Sequence, residues 1–163
     1  MRRAALFLAL FLLPACTRST SQLDNDFNHA RDAMWRGELA EAQQLADRGA
    51  ERAPVTTNPG WYWRFRLLSC QVSILRRDFA AADGVLKAQL PTGAAYDGLR
   101  ARQQWLVAYS QVEQGNARAG HETLAAARQL AQHDPDVALE IDRLDGQAHL
   151  RLGEWDPGEE LLN

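Results

Sequence analysis

Four five-residue segments recur along the chain at nearly equal intervals: Trp35-Arg36-Gly37-Glu38-Leu39, Leu75-Arg76-Arg77-Asp78-Phe79, Glu113-Gln114-Gly115-Asn116-Ala117 and Arg151-Leu152-Gly153-Glu154-Trp155. Their third residues, hereafter the anchors, lie 40, 38 and 38 positions apart. A period of this length belongs to a supersecondary unit that cannot bury its apolar face alone and covers it by stacking on its neighbours.

Alignment on the anchors exposes the unit's internal pattern. Seven positions before each anchor stand Ala30, Cys70, Ala108 and Gly146, and five positions after it stand Ala42, Ala82, Gly120 and Gly158. Small residues at one fixed point on each of two paired helices let the helices approach closely. Three positions before the anchor come Met34, Ile74, Val112 and Leu150, and nine after it Ala46, Leu86, Leu124 and Leu162, the expected apolar contacts across the pair. No stretch of any length alternates with the period of a strand. The fold class is therefore all-α, an α-solenoid of antiparallel helical hairpins in about four units, the last incomplete.

Helices are expected at 24–36, 39–53, 60–76, 79–89, 97–114, 117–132, 136–152 and 157–162. Asn58-Pro59 and Asp134-Pro135 each place a side-chain acceptor at an N-cap and proline at the first helical position. Asp78, Asn116 and Asp156 are expected to cap the second helices of their units, and Pro91-Thr92-Gly93 marks a turn between units two and three. Helix eight has barely begun at Asn163, so Trp155, Leu161 and Leu162 are expected to pack back on their own unit, and the chain reads as a truncated product or the front of a longer protein.

The pattern resembles the tetratricopeptide repeat, with small residues on both helices, a glycine in the turn and a bulky residue two positions later. Unit one matches best, through Gly37, Leu39, Ala42, Gly49 and Pro54. Later units depart from it: Arg77 replaces the turn glycine, Ala117 is small where a large residue is usual, and the period exceeds the family's own. The resemblance implies a concave binding surface lined by the first helices, at Arg31, Arg64, Gln71, Arg102, Tyr109, Arg143 and Gln147. Arginine recurs in every unit there, which suits an acidic peptide or carboxylate. The function so implied is protein–protein interaction or scaffolding, without catalysis. Such arrays are also similar to the repeats that precede CHAT-type, caspase-like peptidase domains, which makes the N-terminal part of such an enzyme the alternative. A purely structural envelope lipoprotein is a third reading.

The N-terminus points to export. Met1-Arg2-Arg3 is positive, and Ala4 to Leu13 is an apolar run of signal-peptide length, about half a membrane span. The run ends in Leu13-Pro14-Ala15-Cys16, which resembles the bacterial lipobox. That resemblance implies a signal peptide at 1–15, lipidation of Cys16 and anchoring in a membrane through the lipid. Thr17 stands where aspartate would favour retention in an inner membrane, so the outer one is expected where the source has two. Thr17 to Gln22 reads as part of a flexible tether at 16–23, and the repeat domain as 24–163.

With Arg2 and Arg3 removed, 16 basic residues face 21 acidic ones, a formal charge of −5. No basic face is left to displace counterions from phosphates, so nucleic acid is not an expected partner. Catalytic and cofactor patterns are missing as well. His29, His121, His133 and His149 are scattered, and His121-Glu122 starts a zinc-protease pattern that fails at Ala125, so spacing gives no metal site. Cys70 occupies a small-residue column and is expected to be a buried packing residue. In the aromatic run from Trp61 to Arg66, Trp61, Phe65 and Leu68 are spaced to pack between units, leaving Trp63 and Arg66 as the candidates for a surface role.

Overall fold

A computed structural model describes residues 15–132 and 134–162. Its helices are α1 (Ala15–Trp35), α2 (Leu39–Arg52), α3 (Pro59–Leu75), α4 (Phe79–Leu86), α5 (Asp97–Glu113), α6 (Ala117–Leu130), α7 (Pro135–Leu152) and α8 (Trp155–Leu162), with a 3₁₀ turn at Ala94–Tyr96 before α5. The chain is all-α, with no strand among the described residues. Apart from Ala15, the expected signal segment falls outside those residues, as does the Cys16 side chain. Residues 16–23, expected as a tether, belong to α1, and Leu23 is already buried beside Ala50, Ala53 and Phe65.

The four anchors set the chain's turns. Gly37, Arg77, Gly115 and Gly153 all adopt left-handed backbone, with φ of 80°, 60°, 88° and 79°. Each turn closes identically: the anchor's N–H bonds back three residues, and the next N–H bonds back five, as in Glu38 to Ala33 O, Asp78 to Ser73 O, Asn116 to Gln111 O and Glu154 to His149 O. These paired bonds satisfy carbonyls that the end of a helix leaves without partners, and the geometry favours glycine because a Cβ crowds the carbonyl in left-handed backbone. Arg77 holds that conformation without being glycine.

The helices joined by each anchor pack on each other, and α1, α3, α5 and α7 also contact one another in succession. The small columns meet where the partners cross. A Cβ added to Gly120 would stand 3.1 Å from the Ala108 carbonyl oxygen, and one on Gly158 would stand 3.2 Å from that of Gly146. Cys70 Sγ lies 3.8 Å from the Ala82 carbonyl oxygen at the equivalent point of unit two. Only small side chains fit there, which is why those columns exist. Gly49 has a different reason: a Cβ on it would fall 2.2 Å from the ring of Phe65, which is fully buried and meets Phe27 edge-on.

Capping follows the sequence in part. Asp78, Asn116 and Asp134 accept from Ala81, Ala119 and Val137 N–H. Asn58 is at the N-cap of α3 but makes no side-chain capping bond, and Asp156 lies inside α8, whose first residue is Trp155. Helix α4 stops three residues short of expectation. Buried Gln103 on α5 donates to the Val85 and Ala88 carbonyls, both at 2.8 Å, and so completes the helix end from outside. Trp155 does not pack back; it is 64% exposed, and Gly158 meets Leu150 and Gly146 instead.

Candidate functional site

A cleft of about 910 Å³ opens between α1, α3, the start of α5 and the start of α7. Arg31, Arg64, Gln71 and Arg102, four of the seven positions implied by the repeat, line it. Trp35 and Trp61 add aromatic surface, Trp35 being 68% exposed. The Arg64 guanidinium lies over the Trp61 ring at 4.7 Å, and Trp61 rests against Phe27 and Phe65. Trp63, by contrast, is half-buried against the core, and the exposed residue of that run is Arg64.

Arg102 is committed to its neighbours. Its guanidinium pairs with the Glu140 carboxylate, donates to Gln71 Oε1 at 2.9 Å and covers the Trp105 ring at 4.5 Å. Burial pushes its pKa down to about 10, opposed by Asp134 and reinforced by Arg31, and it stays charged at neutral pH. Arg31 and Arg64 remain exposed. Asp24, Asp97, Asp134, Asp136 and Glu140 line the same cleft, so it is not a uniformly basic groove. Arg31 lies on α1 with Asp24, and Arg64 on α3, whereas Asp97, Asp134, Asp136 and Glu140 gather around Arg102 where α5 and α7 begin.

Tyr109, Arg143 and Gln147 lie outside the cleft, further along α5 and α7 towards their C-terminal ends. Tyr109 stacks on Trp105 with ring centroids 5.3 Å apart, and burial raises its pKa. The Trp105 indole donates to the Glu140 carbonyl at 3.0 Å, so this aromatic pair fills the space between α5 and α7. Arg143 and Gln147 are exposed on α7.

Sequence spacing missed a second polar centre. His121 on α6 meets Asp145 on α7, with Nδ1 to Oδ1 at 2.6 Å, and the His121 and His149 rings stand 4.7 Å apart. Arg128 holds the other Asp145 oxygen at 2.7 Å, and Glu154 meets His149 Nδ1 at 2.6 Å. A signal for this grouping does exist in the aligned columns. Relative to the anchors, His121 is at plus six, Asp145 at minus eight and His149 at minus four. The same stations between units one and two hold Gln43, Ser69 and Ser73, which also hydrogen-bond together. The repeat brings these stations into contact, and residue type sets their chemistry.

Cys70 is fully buried, and desolvation pushes its thiol up to about 12, against a smaller opposing effect of Arg66, so it is held as a packing thiol rather than a nucleophile. No family model, curated protein or solved structure matches the chain. No helix among the described residues is long and apolar enough to cross a membrane.

Proposed function

We propose that the chain is a lipid-anchored protein-interaction module: a solenoid of tetratricopeptide-like hairpins, tied to the membrane through Cys16, that takes an extended segment of a partner into its cleft. The observation that carries this reading is the grouping of exposed Trp35 with Trp61, Arg31 and Arg64 in one cleft. Aromatic and arginine side chains dominate the energy of protein interfaces because they bury large area or make several directed bonds at once. The acidic ends of α5 and α7 refine the partner: an acidic and an apolar residue fit the α1–α3 side, and a basic residue fits the other. With Arg102 engaged by Glu140, Arg31 and Arg64 carry the attraction for acid.

Binding of a peptide library with this pattern, compared between the native chain, Arg31→Glu with Arg64→Glu, and Arg143→Glu, tests the site. The double variant is expected to lose at least tenfold in affinity and Arg143→Glu to lose nothing; equal binding by all three defeats the reading. For the anchor, Cys16→Ser is expected to abolish incorporation of labelled palmitate and sensitivity to globomycin. An unchanged response to both would leave the chain exported by a plain signal.

A further inference from the structure

We infer that His121, Asp145 and His149 form a binding site for a divalent transition metal of zinc type, clamping α6 to α7 and to the turn that follows α7. One ligand-type atom from each of the three lies within 4.8 Å of the other two. Donors around a tetrahedral zinc ion at about 2 Å stand roughly 3.3 Å apart, so the His121 Nδ1–Asp145 Oδ1 pair at 2.6 Å must open while the wider separations contract, both within reach of side-chain rotation. The ring separation of 4.7 Å also suits two imidazoles on one ion.

The surroundings are those that support metal ligands. An ionised carboxylate only accepts hydrogen bonds, so Glu154 at 2.6 Å requires a proton on His149 Nδ1 and makes Nε2 the ring atom through which the neutral imidazole can bind a metal. Asp145, with its side chain only 3% exposed, is held from behind by Arg128, which leaves Oδ1 pointed at His121. In the ion-free arrangement a single proton joins Asp145 Oδ1 to His121 Nδ1. The metal takes that proton's place between the two atoms and releases it to solvent, so no oxidation or reduction is involved.

Charge agrees. Asp142 and Asp145 on Arg128, with Glu154 on His149, set three carboxylates against one guanidinium, an excess of two negative charges around neutral imidazoles. His121 is 41% exposed, which gives an ion a way in and leaves a coordination position for water or a partner's side chain. The equivalent stations of units one and two carry Gln43, Ser69 and Ser73, which are poor ligands for such an ion, so among the described residues the site belongs to units three and four.

The test titrates the purified chain, freed of metal by chelation, with Zn²⁺ against a chromophoric chelator. One Zn²⁺ per chain is expected, with binding lost in His121→Gln and in His149→Gln and retained in His29→Gln on α1. Glu154→Gln, which frees a ligand's orientation without removing the ligand, is expected to weaken binding about 10- to 100-fold. Should a histidine variant fail to fold, the native chain still decides: ¹⁵N spectra must show Zn²⁺-induced shifts at the ring nitrogens of His121 and His149. No bound Zn²⁺, undiminished binding by either histidine variant, or ring nitrogens unmoved by Zn²⁺ would overturn the site.

Discussion

Gly120 lies so close to Val112 that a Cβ on it would stand 2.4 Å from Val112 Cγ2. Val112 is fully buried and branched at Cβ, so on its helix it strongly prefers a single rotamer and turns aside only at a cost. Gly120→Ala is expected to cost about 1–3 kcal/mol through overpacking. Gly84 in α4 has nothing within 4 Å of its missing Cβ, and Gly84→Ala is expected to stabilise by about 0.4–1 kcal/mol by restricting the unfolded chain. Urea denaturation of the two variants should move the midpoint in opposite directions; a common direction would show that the crossing is not tight.

Arg77 is strained where the other anchors are not. Left-handed backbone costs a residue with a Cβ about 1–2 kcal/mol, while the Arg77–Glu113 pair at 3.4 Å involves an arginine side chain 65% exposed and contributes little. Arg77→Gly is therefore expected to raise stability by about 1 kcal/mol and Arg77→Val to lower it by at least as much, read as shifts in Tm. A destabilised glycine variant would mean that the Arg77 contacts, with Glu113 and with the Phe79 ring 5.6 Å below its guanidinium, outweigh the strain.

Three substitutions separate the helix crossing, the cleft and the surface. Ala108→Leu inserts bulk at a fully buried position beside Gly120 and is expected to cost about 1–3 kcal/mol. From sequence, Arg102 sits on an open face and its truncation should cost about 0.5 kcal/mol or less. Its ion pair with Glu140 and its bond to Gln71 correct that: Arg102→Ala leaves Glu140 without its cation and is expected to cost about 1–2 kcal/mol. Arg143→Ala, on the exposed side of α7, should stay within about 0.5 kcal/mol. Thermal melts rank the three, and an Arg102 variant as stable as the Arg143 one would remove the ion pair from the account.

The Cys70 thiol gives a pH signature. Its folded pKa, raised to about 12 by desolvation, lies above that of the unfolded chain, so its contribution is full below the unfolded value near 9 and is lost as pH rises towards 12. Stability is expected to fall across that window less steeply in Cys70→Ala than in the native chain. Alkylation of Cys70 at pH 8 should proceed at the rate of unfolding, and rapid labelling of the folded chain would contradict its burial.

Much of this molecule is legible in local terms. Gly37, Gly115 and Gly153 mark left-handed turns because a single backbone conformation demands them, and Ala30, Cys70 and Ala108 mark crossings because the space there admits little volume. Both requirements act residue by residue, so they survive as columns in the sequence, and the helix limits follow from them to within three positions except at the start of α1, which begins nine residues before the expected 24. The chemistry along the helices is different in kind. Whether Arg102 faces solvent or Glu140 depends on how far α7 lies from α5, and Tyr109 leaves the implied binding face because Trp105 offers it a stacking partner. Trp155 stays exposed because Gly158 occupies the crossing. His121 and His149, 28 residues apart, become neighbours only when α6 is laid along α7. A repeat dictates which stations meet, but the distance, charge and solvent at each station are set by side chains from separate helices, and those come together only in the folded chain.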